Sequence, residues 1–377
     1  MKRVQLNTAA GMKTALAMAL AAALSACGGG GGGGNVRVEP PVPPPVTPPP
    51  VTPPPVTPPP EAPPQPSRQG HLTAINALGT GLTGQGVRIG VVDSGVNRTH
   101  PALAGRVVAN YTYVDPREND LGRDAVVGHG PTVSMLAAGG DYSGSQVGVA
   151  PGAEIVSARI IADKRPVDDG SGNGNQVSGA IGLAPVHRDL INAGVKIMNN
   201  SWGGLYWTNA ATTAQIADEY RPFITSNGGL VVFATGNDGK STPSNMAALP
   251  SRPGVGGSTP AADLVRGWLA VTAVDTVTPT QLASYANACG EAASYCLAAP
   301  GTAVYPDPQA TTATASYYYG WGTSYAAPLV SGAAALVWQR YPYFSNDLVR
   351  QTLLGTATDI GAAGVDPVDH RGQAGVG

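Results

Sequence analysis

The stretch that decides the fold is Val87-Arg88-Ile89-Gly90-Val91-Val92-Asp93-Ser94-Gly95. Its apolar residues continue without a regular polar alternation, which is the pattern of a strand buried on both faces. The run stops at Asp93, and Asp-Ser-Gly is a turn-forming sequence. We therefore predict a buried strand over residues 87–92 that Asp93 follows directly.

Working outward from this strand, similar apolar runs recur and are separated by segments with a helical pattern. The strand-like runs are residues 153–160, 195–199, 230–234 and 268–274, and the helical segments are residues 176–193, 210–226 and 324–341. Strands that alternate with helices predict an α/β domain with a mainly parallel sheet. In such sheets ligands bind at the carboxyl ends of the strands, which is where Asp93 and Asn237 lie.

Ser324 stands in Gly322-Thr323-Ser324-Tyr325-Ala326-Ala327-Pro328, at the start of the last long helical segment. A serine in this position lies near the positive end of the helix dipole, and its backbone N–H is available to stabilise an oxyanion. The motif alone also fits an ordinary helix-capping serine.

A histidine and an aspartate complete the set of groups needed for nucleophilic catalysis. His129 is flanked by glycines that permit close backbone approach, and Pro131 fits the first turn of a helix. A structural histidine is the alternative, and His100 is the nearest competitor. Asp93 ends an apolar strand, where an unpaired carboxylate costs free energy, so a histidine Nδ1–H is a suitable partner. A turn-capping aspartate is the alternative for Asp93.

Asn237 follows Ala234-Thr235-Gly236 at the end of another apolar run. Its side-chain amide N–H is suited to complete an oxyanion hole with the backbone N–H of Ser324. A simple Asn-Asp-Gly turn is the alternative.

In the order Asp93, His129, Asn237 and Ser324, these motifs together resemble the subtilisin-like serine peptidases. The resemblance implies a three-layer α/β fold with a mainly parallel central sheet flanked by helices. It also implies a catalytic triad of Asp93, His129 and Ser324 and an oxyanion hole of Asn237 and the Ser324 N–H. The implied reaction is peptide hydrolysis through an acyl-enzyme, without a metal or an organic cofactor.

The same resemblance indicates a substrate cleft lined by two segments. Ser201, Trp202 and Gly203 match the family strand that borders the cleft, and the second segment is Ala234-Thr235-Gly236. Both segments indicate an open, mostly apolar cleft. We therefore expect a monomeric endopeptidase that accepts polypeptides with broad specificity.

The N-terminus predicts export to the bacterial cell envelope. A basic start, an apolar run at residues 15–24 and Leu24-Ser25-Ala26-Cys27 resemble a lipoprotein signal, so we expect removal of residues 1–26 and lipidation of Cys27. An ordinary signal peptide is the alternative. Residues 27–69 continue with a Gly-rich spacer and Pro-rich repeats, which predict an extended tether to the outer membrane; a recognition segment for proline-binding modules is the alternative.

The peptidase domain is assigned to residues 70–368 and a divergent tail to residues 369–377. The lipoprotein-like signal, the Pro-rich segment and the motif Asn199-Asn200-Ser201-Trp202-Gly203 are most similar to subtilisin-like passenger domains of bacterial autotransporters. Because such proteins continue into a translocating β-barrel, we expect this sequence to be truncated and to encode no barrel of its own. Besides this expected truncation, the sequence departs from the family pattern at Pro131-Thr132, where the family usually has Thr-His.

Charge and cysteine content restrict the remaining possibilities. A net charge of −2 with 12% charged residues gives no reason to expect a nucleic-acid partner. Cys289 and Cys296 predict a local disulfide in an exported protein, with two free thiols as the alternative. The loop Asp168-Asp169-Gly170-Ser171-Gly172-Asn173-Gly174 only faintly resembles a calcium loop, because Ala180 occupies the position of the required glutamate. No metal ligand is assigned, and a structural calcium elsewhere is left open.

Two other functions compete with peptide hydrolysis. An esterase of the α/β-hydrolase class has the triad order Ser, Asp, His and a Gly-x-Ser-x-Gly motif. It is disfavoured because Ser324 comes last and Ala326 replaces the second glycine. A non-catalytic binding passenger is the stronger rival, since truncation would leave the triad misplaced.

Overall fold

The computed structural model describes residues 67–164, 181–203, 206–275 and 279–360, together with the backbone of Val4–Leu6. These residues belong to one compact unit. Several sequence predictions lie outside the described residues: Cys27, the tether as far as residue 66, the loop at residues 168–174 and the tail at residues 369–377. No helix within the described ranges is long and apolar enough to cross a membrane.

Twelve strands and six α-helices are described. The strands are β1 (Val4–Leu6), β2 (Arg88–Asp93), β3 (Val107–Thr112), β4 (Asp141–Tyr142), β5 (Ser145–Gln146), β6 (Glu154–Arg159), β7 (Ile197–Asn200), β8 (Leu230–Ala234), β9 (Trp268–Val274), β10 (Cys296–Pro300), β11 (Thr302–Pro306) and β12 (Tyr317–Trp321). The helices are α1 (Gly70–Ala74), α2 (His129–Ala138), α3 (Ala184–Asn192), α4 (Ala210–Arg221), α5 (Thr323–Arg340) and α6 (Asn346–Thr356). Short 3₁₀ helices cover Leu249–Ser251, Val255–Gly257, Ala262–Gly267 and Gly290–Tyr295.

The central sheet has seven parallel strands in the order β10-β9-β8-β7-β2-β6-β3. Strands β3 and β6 lie on one side of β2, whereas β7 to β10 lie on the other. The chain direction across the sheet therefore reverses at β2, which is the topological switch point at which α/β sheets bind ligands. A smaller antiparallel sheet has the order β1-β12-β11, and β4 and β5 form a short hairpin.

Helices cover both faces of the central sheet. Successive strand residues point to opposite faces, so a continuous apolar strand presents apolar side chains on both, and each face packs against helices. In β2, Ile89 and Val91 pack into the core cluster that contains α2, α5 and α6, whereas Val92 packs into the cluster that contains α3 and α4. Both faces of the strand are therefore buried, which explains its continuous apolar sequence. The predicted three-layer α/β fold with a mainly parallel sheet is confirmed.

The five strands predicted from the sequence are present within one or two residues of their expected bounds. The predicted helix at residues 210–226 is divided at Pro222, where α4 gives way to a π-helix, Pro222–Ser226. Pro222 has no backbone N–H to donate, so the regular α-helical ladder is interrupted there. Helix α3 begins at Ala184, and residues 176–180 of the predicted segment lie outside the described ranges.

The predictions missed β3 and the strands after β9. The side chains of β3 are largely half-buried and include Asn110 and Thr112, so this edge strand lacks the continuous apolar pattern. Strand β10 begins at Cys296, which is bonded to Cys289, and both cysteines are buried. The disulfide attaches the turn before the 3₁₀ helix Gly290–Tyr295 to the edge of the central sheet.

Two buried histidines contribute to the packing outside the central sheet. His71 donates Nε2–H to the carbonyl of Val147 at 2.9 Å, and His187 donates Nδ1–H to the carbonyl of Glu219 at 2.8 Å. Burial of each ring disfavours its charged form and lowers the pKa of His71 and of His187 to about 4, although the carbonyl contacts oppose this effect.

These histidines predict that the folded protein loses stability in weak acid. Between about pH 6.5 and pH 4 the unfolded chain takes up protons that the buried rings do not, so the free energy of unfolding falls with pH, by about 3 kcal/mol for each histidine. Urea denaturation at pH 7 and pH 4 measures this change. His71→Gln keeps a side-chain N–H donor but cannot titrate, so it is expected to reduce the pH dependence. An unchanged pH dependence in this variant would contradict the assignment.

Candidate active site

The candidate active site lies at the carboxyl edge of the central sheet. Asp93 is the last residue of β2, Ser201 follows β7, and Asn237 lies three residues after the end of β8. Because β2, β7 and β8 are neighbouring parallel strands, their carboxyl ends reach the same edge. His129 begins α2 and Ser324 is the second residue of α5, so the N-termini of these two helices also contribute to the site.

Asp93 and His129 form a buried pair. The Nδ1 atom of His129 lies 2.8 Å from Asp93 Oδ1 and 3.0 Å from Asp93 Oδ2, and both side chains are almost fully buried. The backbone N–H of Ser94 also donates to Asp93 Oδ1, at 2.7 Å. The carboxylate at the end of the apolar strand is therefore compensated by two donors, as the burial of a charge requires.

This contact sets the orientation of the His129 ring. An ionised carboxylate only accepts hydrogen bonds, so Nδ1 carries the proton that is donated to Asp93. In a neutral ring, Nε2 is then unprotonated and acts as an acceptor. Nε2 is buried and has no hydrogen-bond partner among the residues that the structure describes. The ring thus presents a free basic nitrogen on the side away from Asp93.

Gly130 permits the close approach of α2 to the end of β2. A Cβ atom on Gly130 would lie 2.1 Å from the carbonyl oxygen of Gly95 and 3.2 Å from Asp93 Oδ1. The Gly130 N–H instead donates to Ser94 Oγ at 2.9 Å. The unusual residue Thr132 is accommodated in the same turn, where its hydroxyl donates to the carbonyl of Gly128 at 2.8 Å.

The packing of α5 against α2 brings the start of α5, which carries Ser324, to the His129 side of the site. The ring of Tyr325, the adjacent residue, stacks on the His129 ring with a centroid separation of 6.4 Å. Ser324 itself is buried, with 5% of its surface exposed. Its N–H is among the first four of α5, which have no partner within the helix. This N–H and the helix dipole are suited to stabilise an anion.

Asn237 contributes a second donor near Ser324. Its Oδ1 atom accepts from the N–H and from the hydroxyl of Thr323, both at 2.8 Å. These two donors identify which end of the amide is oxygen, so the NH₂ group points the other way. A Cβ atom placed on Gly322 would lie 2.9 Å from Ser324 Oγ and 3.3 Å from Asn237 Nδ2, so both atoms border the same small space.

The residues predicted to bind substrate lie at the same edge, but most of their side chains are turned inward. Trp202 is 2% exposed and packs edge-on against Phe233 at 4.8 Å. Ser201 Oγ accepts from Asn199 Nδ2 at 2.9 Å, and Thr235 Oγ1 donates to the carbonyl of Asn287 at 2.9 Å. Ala234 is buried, whereas Gly203 and Gly236 have no side chain. These segments therefore offer no exposed side chain at this edge of the sheet.

A charged cluster lies beside Asn237. The carboxylate of Asp238 accepts from the hydroxyl of Tyr206 at 3.1 Å and pairs with the Lys240 ammonium at 3.1 Å. Hydrogen bonds to Tyr206 and to Asp238 raise the pKa of Lys240. The cluster connects the segment after β7 to the turn after β8.

His100, the competing histidine, does not belong to the site. Its Nε2 atom donates to the carbonyl of Asp307 at 2.9 Å, and its Nδ1 atom accepts from the N–H of Ala102 at 3.1 Å. Both ring nitrogens are thus occupied by backbone groups, and burial lowers the pKa of the ring. Over the described ranges, no group of three or more His, Cys, Asp or Glu side chains is placed to hold a metal ion.

Comparison with known proteins identifies the family. The model of the subtilase family of peptidases matches residues 84–372, about three quarters of the chain. The chain belongs to the subtilase family. This subtilase is 33% identical over 282 residues to subtilisin Savinase from Lederbergia lenta, a match that covers 75% of the present chain and 87% of that protein.

Two other relatives of this subtilase are larger proteins. It is 29% identical to the Neisserial autotransporter lipoprotein NalP from Neisseria meningitidis over 77% of the present chain, and 27% identical to the extracellular serine protease of Serratia marcescens over 80% of the present chain. The chain spans 32% of the length of each of these two relatives. Among solved structures, it resembles fervidolysin from Fervidobacterium pennivorans with a TM-score of 0.61 and 25% identity, over 82% of this chain and 46% of that one.

Sequence reasoning missed several residues that hold the candidate groups. Thr323 lies in the motif that contains Ser324, but its two hydrogen bonds to Asn237 cannot be predicted without the fold. Ser94 and Tyr325 also adjoin predicted residues, so proximity in the sequence was an available signal. Asn287 lies about 50 residues from Asn237, and nothing in its local sequence indicates the contact.

Gly130→Ala is expected to impair both stability and activity of the subtilase. The added methyl group would collide with the Gly95 carbonyl, and relief requires separation of α2 from the end of β2, which disturbs the Asp93–His129 pair. We expect a loss of about 1–3 kcal/mol, typical of overpacking. Thermal unfolding and peptide hydrolysis measure the two effects. Gly355→Ala is the matched control, because nothing lies within 4 Å of a Cβ at that helical position. Equal behaviour of the two variants would contradict the prediction.

Proposed function

We propose that this protein is an exported serine endopeptidase that hydrolyses peptide bonds through an acyl-enzyme on Ser324. The observation that carries the proposal is the His129 ring, whose Nδ1 is bonded to the buried Asp93 while its buried Nε2 has no partner among the described residues. That arrangement is the one a general base requires. The stacking of Tyr325, the residue after Ser324, on this ring and the family membership support the same function.

The proposed reaction begins with attack of Ser324 Oγ on the carbonyl carbon of a substrate peptide. His129 Nε2 accepts the hydroxyl proton, and Asp93 stabilises the imidazolium that results. The negative charge that develops on the carbonyl oxygen is stabilised by Asn237 Nδ2–H and the Ser324 N–H. His129 then donates its proton to the leaving amine, and water hydrolyses the acyl-enzyme by the same route in reverse.

The cleft is proposed to bind extended polypeptides mainly through backbone contacts. Ser201, Trp202 and Gly203 on one side would supply backbone N–H and carbonyl groups rather than side chains, because the side chains present are buried. Ala234, Thr235 and Gly236 would border the other side, where the N–H groups of Thr235 and Gly236 are already bonded to the Val271 carbonyl and to Thr323 Oγ1. Hydrogen bonds between backbones do not distinguish one residue from another. This supports the expected broad specificity of a monomeric enzyme.

Replacement of the nucleophile tests the function directly. Ser324→Ala is expected to abolish casein hydrolysis, with a fall in kcat of about 10⁶, the magnitude known for this change in subtilisin. It is also expected to prevent labelling by a fluorophosphonate, because only an activated serine reacts with this probe. The folded fraction, measured by thermal unfolding, should remain unchanged.

Ser316→Ala serves as the control for this experiment, since no hydrogen bond of the Ser316 side chain is present in the described part of the chain. It should hydrolyse casein and bind the probe like the wild type. Hydrolysis by Ser324→Ala at the wild-type rate would refute the assignment. Absence of both labelling and hydrolysis in the folded wild type would instead favour a non-catalytic binding protein.

We further propose that the enzyme is attached to the outer membrane through a lipid on Cys27. The motif Leu24-Ser25-Ala26-Cys27 and the similarity to an autotransporter lipoprotein support this location. A lipid chain contributes membrane affinity through its buried methylene groups.

Cys27→Ser is expected to shift the protein from the detergent phase to the aqueous phase during detergent partitioning, because serine cannot carry the thioether-linked lipid. Ser25→Ala is the matched control, since it keeps a small residue in the signal and should leave partitioning unchanged. Partitioning into detergent that does not depend on Cys27 would contradict the anchor.

A further inference from the structure

The turn that carries Asn237 is hydrogen-bonded to Asn287, which lies about 50 residues further along the chain. Asn287 is fully buried and lies between β9 and the 3₁₀ helix Gly290–Tyr295. Its Oδ1 atom accepts from the backbone N–H of Asp238 and of Lys240, both at 3.0 Å. Its Nδ2–H donates to the carbonyl of Thr235 at 3.2 Å, and its backbone N–H donates to the carbonyl of Gly236 at 2.9 Å.

These four hydrogen bonds lie on both sides of Asn237. Two reach the residues before it, Thr235 and Gly236, and two reach residues after it, Asp238 and Lys240. The turn follows immediately after β8, and two more backbone hydrogen bonds join it to the same segment: the Gly239 N–H donates to the Tyr285 carbonyl and the Ala288 N–H donates to the Lys240 carbonyl, both at 2.8 Å. Asn287 is the residue of this segment that bonds the turn through its side chain as well as its backbone. Only one orientation of the Asn287 amide satisfies all of its side-chain bonds, which makes the contact specific.

Asn287 is itself fixed to the central sheet. Its carbonyl oxygen accepts from the hydroxyl of Thr272, in β9, at 2.7 Å and from the hydroxyl of Thr235 at 2.9 Å. The disulfide of Cys289 begins two residues further on. The space around the amide is also tight, because a Cβ atom on Gly236 would lie 2.5 Å from Asn287 Nδ2. Movement of the turn relative to β9 therefore breaks several buried hydrogen bonds at once.

We propose that Asn287 is the positioning residue of the oxyanion hole: it fixes the backbone on both sides of Asn237 so that Asn237 Nδ2 is held where negative charge develops. This inference rests on the proposed function. Thr323 orients the Asn237 side chain, whereas Asn287 places the backbone from which that side chain extends. Because the oxyanion contact is made chiefly in the transition state, loss of Asn287 lowers kcat rather than raising KM.

The test is a double-mutant cycle on kcat for hydrolysis of a chromogenic peptide. Asn237→Ala alone is expected to lower kcat about 10²–10³-fold, the magnitude known for this donor in subtilisin. Asn287→Ala alone is expected to lower kcat about 10–10²-fold, since displacement of a reacting group by about 1 Å has effects of this size. In the Asn237→Ala background, Asn287→Ala should change kcat less than about threefold, because the donor that it positions is already absent.

Two further variants separate positioning from general stability. Asn287→Asp keeps an acceptor for the N–H groups of Asp238 and Lys240 but loses the donor to Thr235, so its effect on kcat should be smaller than that of Asn287→Ala. Tyr295→Phe removes buried hydrogen bonds to the Ala248 carbonyl and to Ser251 Oγ without touching Asn287 or the turn. It should lower the midpoint of thermal unfolding while kcat stays within about twofold of the wild type.

The outcomes distinguish this inference from the proposed function. If Ser324→Ala remains active, the proposed function fails. If Ser324→Ala and Asn237→Ala behave as expected but Asn287→Ala lowers kcat by the same factor with and without Asn237, only the positioning role is overturned. The role is also overturned if Asn287→Ala raises KM alone, or if neither Asn287 variant folds, because Asn287 would then act on binding or on folding.

Discussion

The burial of one carboxylate constrains the site and the elements around it. Asp93 is completely buried at the end of the central strand β2. An ionised group in this position is tolerated only when hydrogen bonds replace its lost hydration. The Ser94 N–H and His129 Nδ1–H supply them. This requirement draws the N-terminus of α2 against the end of β2, which in turn admits only glycine at position 130. Removal of the His129 donor would leave the buried carboxylate with the Ser94 N–H alone, so the contact with His129 both stabilises the fold and orients the ring.

The parallel sheet brings the remaining groups to that carboxylate. Neighbouring strands β2, β7 and β8 end at one edge, so residues that are more than 100 positions apart in the sequence lie close together. Helix α5 supplies Ser324 from the other side, and nearly all of its residues from Thr323 to Leu336 are buried. A helix that is packed on all sides cannot slide or tilt without opening cavities in the core. The position of Ser324, the proposed nucleophile, is therefore determined by packing along the whole helix.

Five strands of the central sheet and the groups proposed to carry the chemistry could be predicted from the sequence, because both have strong local signals. Continuous apolar runs predict buried parallel strands, and Asp93, His129, Asn237 and Ser324 each stand at the end of an element. The edge strand β3 was missed because its half-buried residues give no such run. Trp202 was expected at the cleft, yet its ring packs on Phe233 of β8, because it lies beyond the end of β7, where local sequence does not reveal which way a side chain turns. Asn287 was missed because its partners are about 50 residues away and its own neighbourhood is an ordinary turn.

The residues around the site that sequence analysis missed share one feature. Ser94, Asn287, Thr323 and Tyr325 carry amide or hydroxyl groups and have no part in the proposed proton transfers. Asn199 is a further example: its Oδ1 accepts from Ser331 Oγ in α5 at 2.8 Å, and its Nδ2–H donates to Ser201 Oγ at 2.9 Å. Ser331 lies seven residues, or about two helical turns, after Ser324, so both lie on one face of α5. Asn199 thus fixes the face of α5 that carries Ser324 and Ser331 to the end of β7. In the same way, Asn287 fixes the turn after β8 to β9. In a low-dielectric interior such bonds are strong when made and costly when broken. Apolar packing holds the layers together but is not directional, so it allows small shifts between elements. Hydrogen bonds depend on distance and angle, so these contacts fix how the elements are aligned at the carboxyl edge of the sheet. The accuracy of the site therefore depends on polar residues whose importance becomes visible only after the fold has brought them together.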